Sequence, residues 1–104
     1  MVAPPPLTRE EAARLIRAQG AEIHARGVTR LALFGSLARG EGHACSDIDV
    51  VVDIDPACRF SLLDQAGLRL FLCDLLGRET DVVVRQDLRP DFRARISADE
   101  VVVI

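Results

Sequence analysis

Asp47-Ile48-Asp49-Val50-Val51-Val52-Asp53-Ile54, closed by Asp55-Pro56, carries the clearest strand signal in this chain of 104 residues. β-branched residues crowd it, and Asp-Pro ends it as a turn would. Side chains two apart on a strand share a face, so Asp47 and Asp49 project from one side while Ile48 and Val50 project from the other. Upstream, Thr29 to Phe34 is short and mostly apolar, and Gly35-Ser36 follows it directly. That pattern predicts a buried strand, a turn, and a brief helix over 35–40. Further back, Thr8 and Glu11 have capping-box spacing, and Ala12, Leu15, Ile16 and Ile23 recur at near-helical intervals until Gly27, which predicts one helix over 8–26. Residues 1–7 are Pro-rich and predict an extended lead-in.

Downstream, Ser61 and Asp64 can cap a long helix that ends at Gly77. Its apolar positions Leu62, Leu63, Ala66, Leu70, Phe71, Cys73 and Leu75 exceed one narrow stripe, so it is expected to be largely covered. Thr80 to Val84 predicts another strand, Pro90 opens a short helix through Ile96, and Val101 to Ile104 suggests a last edge strand. This order implies an α/β fold, a small mixed β-sheet flanked by helices, as a single domain over 8–104. There is no internal repeat.

The composition excludes several chemistries. All thirteen basic residues are arginine, so a Walker-type phosphate loop, a Schiff-base lysine and a Ser-Lys dyad are absent. A net charge of -3 without basic runs argues against direct binding of nucleic acid by charge alone. Cys45, Cys58 and Cys73, spaced by 13 and 15 positions, fit neither a disulfide framework nor a zinc site and are expected to be reduced thiols, Cys73 in the core. No apolar run approaches the roughly 20 residues that span a bilayer. The N-terminal stretch lacks signal-peptide features, so a cytoplasmic location is expected and no membrane partner.

Two carboxylates side by side on an apolar strand repel each other, and a divalent cation is the simplest compensation. All-oxygen ligands favour magnesium or manganese over zinc. Asp81 lies inside the next apolar strand; if the two strands pair, three carboxylates can meet as the ligand set of a two-metal phosphoryl or nucleotidyl transfer site. Against this, an isolated Asp-x-Asp is as often a strand-end or turn device. The segment upstream shifts the balance. Gly35-Ser36 leaves a strand for a short helix, where backbone N–H groups and a hydroxyl can hold a phosphate, and Arg39 adds a cation one turn on.

Gly35-Ser36-Leu37-Ala38-Arg39-Gly40-Glu41, then ten residues between Ser36 and Asp47, then Asp47-Ile48-Asp49-Val50, resembles the signature of the DNA polymerase β nucleotidyltransferase superfamily. The short length, the Ala-Arg-Gly-Glu extension and Thr80-Asp81-Val82-Val83 further resemble its minimal nucleotidyltransferase (MNT) branch, typically antitoxins paired with HEPN-domain toxins. The resemblance implies a polymerase β-like fold and an enzyme that uses ATP and magnesium, or manganese, to attach AMP to a hydroxyl. The implied acceptor is a tyrosine of the partner toxin, an RNase silenced by the modification, in a hetero-oligomer. By the same resemblance Gly35 and Ser36 bind the triphosphate, and Asp47 and Asp49 hold the metals. Asp81 completes one metal site and helps deprotonate the attacking hydroxyl. Arg39 is expected at a further phosphate or partner contact and Glu41 in a supporting role. The alternatives are a non-catalytic antitoxin that neutralises by binding alone, and a transferase acting on a small molecule, for which the chain has no acceptor-holding domain.

Remaining residues receive plainer readings. His24 and His43 are expected to be solvated or hydrogen-bonded rather than metal ligands. Asp53 shares the Asp49 face by parity, but beside Asp55-Pro56 it reads as strand-end and turn chemistry. Arg85, Arg89, Arg93 and Arg95 are expected on a solvated face. The only aromatics are Phe34, Phe60, Phe71 and Phe92, so no platform for a nucleobase is evident.

Overall fold

The structure, a computed structural model, describes residues 7–38 and 47–104. Residues 1–6 of the expected lead-in, and with them Arg39, Glu41, His43 and Cys45, lie outside the described residues. Leu7, expected in the lead-in, packs against the core. Thr8 caps helix α1 (Arg9–Ala18) by accepting from the Glu11 N–H at 3.0 Å. The capping box is only half made, because the Glu11 carboxylate pairs with Arg14 instead. The single helix expected over 8–26 is two: Gln19 leaves helical geometry at φ -108°, and α2 (Gly20–Ala25) follows. Gln19-Gly20 is the weakest helix-forming pair in the run, and the Gln19 N–H closes a tighter bond to the Ile16 carbonyl.

Strand β1 (Val28–Phe34), helix α3 (Gly35–Ala38), strand β2 (Ile48–Ile54), helix α4 (Leu62–Leu76), strand β3 (Thr80–Val84), helix α5 (Pro90–Asp99) and strand β4 (Val101–Val102) follow among the described residues, with a 3-10 turn at Arg85–Asp87. The sheet order is β3-β2-β1-β4. β1 is antiparallel to β2 and to β4, whereas β2 and β3, joined through α4, run parallel. This is the mixed α/β sheet expected. Helix α5 runs to Asp99, three residues further than its apolar pattern implied.

Alternation along β2 divides the core. Ile48, Val50, Val52 and Ile54 pack with Ile16, Leu68 and Leu72 of α1 and α4 on one face, and Val51 packs with Ala32 and Ile96 of α5 on the other. Helix α4 has a full capping box between Ser61 and Asp64 and an αL cap at Gly77. Only Leu68, Leu72 and Leu76 of α4 are buried. Leu62, Leu63 and Leu70 are exposed, at 83%, 84% and 60%, so the expectation of a largely covered helix fails. Cys73 is half-buried rather than core; its Sγ accepts from the Thr80 N–H at 3.3 Å. His24 is hydrogen-bonded as expected, with Nδ1 at 2.8 Å from the Val28 carbonyl.

Candidate active site

Parallel pairing of β2 with β3 sets Asp49 directly opposite Asp81, just as Val51 faces Val83 two residues on. Both carboxylates therefore rise from the face that α5 partly covers. Asp49 is half-buried and Asp81 exposed; Asp47 precedes β2 and is exposed. Burial raises the Asp49 carboxyl above its ordinary value, and the charges of Asp81 and Asp47 push it the same way. Among the described residues no arginine forms an ion pair with any of the three.

The turn out of β1 completes this end of the sheet. Phe34 pairs in register with Asp49, and Gly35 then takes φ +75°, a left-handed conformation that L side chains rarely adopt. A Cβ on Gly35 would lie 2.5 Å from Asp49 Oδ2, so a glycine is required twice over. Ser36 follows as the second residue of α3. Arg39, the other expected phosphate contact, lies outside the described residues. The structure thus brings Gly35, Asp49 and Asp81 together with Asp47 alongside.

These groups fit a hard divalent cation. Their donors are all oxygen, and the mutual repulsion felt by Asp49 is what a cation would relieve. Among the described residues no group of three or more His, Cys, Asp or Glu side chains is arranged as a ready metal cage. Magnesium seldom uses one: it is typically held by one or two carboxylates plus substrate phosphates.

Among the described residues, two hollows flank the sheet. One of about 350 Å³, lined by Ile54, Cys58, Phe60, Leu62, Val84 and Gln86 among others, lies at the far ends of β2 and β3, away from the aspartates. The amides of Gln65 and Gln86 there are engaged by the Val82 and Ile54 carbonyls. The other, about 180 Å³, lies between Phe34 and Gly35 and the Phe92, Arg95, Ile96 and Asp99 face of α5. It adjoins Gly35 and therefore Asp49. Sequence reasoning missed it because Phe34 and Phe92 belong to distant segments, although 92, 95, 96 and 99 have the spacing of one helix face.

Two surface expectations need correction. Asp53 is not turn chemistry: it sits inside β2 and accepts from Arg85 Nε at 2.6 Å. Arg85 is no part of a solvated face; its guanidinium is 15% exposed and also bonds Ser97 and Glu100. No helix among the described residues is long and apolar enough to cross a membrane.

Residues 16–104 match the family model described as a nucleotidyltransferase domain. Over 98 residues the chain is 34% identical to the protein adenylyltransferase MntA of Thermococcus cleftensis, covering 93% of this chain and 97% of that protein. A solved structure assigned to a minimal nucleotidyltransferase superposes at a TM-score of 0.78 with 32% identity, over 90% of this chain and 94% of the other. A chain from the complex of tri-AMPylated Shewanella oneidensis HEPN toxin with an MNT antitoxin shares the fold at a TM-score of 0.68 and 15% identity, over 93% of this chain and 72% of that one.

Proposed function

Because the chain belongs to the nucleotidyltransferase-domain family, in its minimal branch and with a polymerase β-like fold, we propose that it transfers AMP from ATP to a hydroxyl of a HEPN-type RNase toxin. The observation that carries this reading is the register of Asp49 against Asp81, with Gly35 in contact range of Asp49. Neutralisation by occlusion alone needs none of these groups in register. The relative from Thermococcus cleftensis is a protein adenylyltransferase, and the structural neighbour is a complex of an MNT antitoxin with an AMPylated toxin. The exposed leucines of α4 are the kind of surface a protein partner covers.

Asp47 and Asp49 hold magnesium, or manganese in its place, with Asp81 completing one site. The bound ion supplies neutralisation of the carboxylates and of the triphosphate charge. The backbone at Gly35 and Ser36 receives the triphosphate, where no side chain at position 35 intrudes. Asp81, exposed at the edge, accepts the proton of the attacking hydroxyl, for which a tyrosine is the proposed source. The hydroxyl oxygen bonds to the α-phosphorus as the bond to the bridging oxygen breaks, and pyrophosphate leaves. Arg39 contacts phosphate or partner, and a hetero-oligomer with the toxin follows from this reading.

The intact mass of a HEPN-type toxin co-expressed with this protein or with its Asp49→Asn variant tests the proposal. Added mass in AMP increments with the native protein alone supports it. An unmodified toxin that is bound and silenced overturns it in favour of occlusion.

A further inference from the structure

The 180 Å³ hollow beside Gly35 has no role in the reading above, and its walls are chemically specific. Phe92 offers a ring that is 42% exposed although it sits on a packed helix. Phe34 forms the opposite wall, and its neighbour Gly35 abuts Asp49. Arg95 and Asp99 stand one helical turn apart on the same face of α5, and among the described residues neither side chain makes a hydrogen bond or ion pair. The space is below the 300–1,000 Å³ of a drug-sized ligand's pocket, which suits one planar ring system rather than a whole nucleotide.

We propose that this hollow receives the adenine of the nucleotide whose triphosphate lies at Gly35, with Phe92 as the stacking surface and Arg95 and Asp99 reading the base edge. The inference rests on the nucleotidyl-transfer reading and extends it to base selection. Arg95 can only donate and an ionised Asp99 can only accept. Adenine presents an amino donor beside a ring-nitrogen acceptor, which complements that pair. Guanine carries the O6 acceptor in place of that amino group and sets it against Asp99. Continuity decides against a separate ligand, since the wall formed by Phe34 and Gly35 is shared with the Asp49 site.

Calorimetric binding of α,β-methylene ATP, α,β-methylene GTP and inorganic tripolyphosphate in magnesium, to the full chain, tests this without turnover. Phe92→Ala is expected to weaken the ATP analogue about tenfold, the scale of one base–aromatic stack, while tripolyphosphate binding stays within about twofold. Phe92→Tyr restores it, and Asp99→Asn, which can also donate, narrows the preference for the ATP analogue over the GTP analogue about tenfold. Unchanged nucleotide affinity in Phe92→Ala, or equal weakening of tripolyphosphate, overturns the assignment. So does a loss of toxin modification with nucleotide affinity intact, which gives the hollow to the acceptor side chain. A native protein that binds tripolyphosphate without regard to base removes only this inference. One that binds neither phosphate nor nucleotide removes the nucleotidyl-transfer reading as well.

Discussion

Gly35 and Asp49 are in contact range across the antiparallel β1–β2 pair: Phe34 is the register partner of Asp49, and any Cβ on Gly35 would fall 2.5 Å from Asp49 Oδ2. The glycine therefore does two things for the site. It turns the chain at φ +75° so that α3 starts beside the carboxylate, and it leaves the space in which that carboxylate stands.

Gly35→Ala and Gly77→Ala separate these two effects. Gly77 also has a left-handed backbone, at φ +66°, but a Cβ there meets nothing within 4 Å. Both variants are expected to lose about 1–2 kcal/mol in chemical denaturation from backbone strain. Only Gly35→Ala displaces Asp49, and a displacement of that size costs on the order of 100-fold in transfer rate. Equal activity in the two variants would mean that the Asp49 carboxylate moves aside freely.

Asp49→Asn is expected to stabilise the protein in the absence of metal while abolishing transfer. The Asp49 carboxyl titrates above its ordinary value because of burial and of the charges on Asp81 and Asp47, so the folded state binds this proton more tightly than the unfolded chain. Its contribution to stability is then fully present below the unfolded value and is lost as pH rises through the folded one. Above that window the ionised group is a standing cost, which asparagine removes. Urea unfolding in chelator, from pH 4 to pH 7, should show native stability falling more steeply with rising pH than that of the variant. Parallel curves would contradict the coupling among the aspartates.

The path from sequence to site was readable where it depended on local rules and opaque where it depended on partners. Period-two alternation is a property of the chain, so the projection of Asp49 to one face and of Ile48 and Val50 to the other could be read directly. The register that sets Asp81 beside Asp49 could not, because Thr80 to Val84 carries no mark of which strand it joins or in which direction. Asp53 illustrates the same limit. Its neighbours Asp55 and Pro56 suggest a turn, while the residue that governs its behaviour, Arg85, is 32 positions away. Helix α4 failed for a different reason: composition counts apolar side chains but not the surface available to cover them, and the sheet beneath has room for one stripe.

Arg85 holds the end of α5 against the sheet through Asp53, Ser97 and Glu100, with Glu100 also bound by Arg30 at 3.1 Å. Removing the cation strands Asp53 and leaves Glu100, 7% exposed, with Arg30 alone. Because the group is only partly buried, Arg85→Ala is expected to cost about 2–3 kcal/mol, below the range for fully buried pairs. Arg69→Ala, which loses an exposed pair with Glu79, should cost less than about 1 kcal/mol. Urea unfolding of both variants checks the difference, and similar losses would show that the Arg85 cluster is no more than a surface network.

Divalent metal and nucleotide should stabilise the fold through the same aspartates. A ligand that binds only the folded state adds RT ln(1 + [L]/Kd), about 2.7 kcal/mol at a hundredfold excess over Kd. For a domain of this size that is a rise in Tm of roughly 10–20 °C. The native protein is expected to show it with magnesium and α,β-methylene ATP together, and EDTA should reverse it. Asp49→Asn and Asp81→Asn should each lose most of the shift, since the pair in register supplies the charge that magnesium and triphosphate share. Asp74→Asn, exposed on α4, should keep it. A shift that survives Asp49→Asn and Asp81→Asn would place the nucleotide elsewhere on the molecule, and the larger hollow at the far ends of β2 and β3 would then be the first place to look.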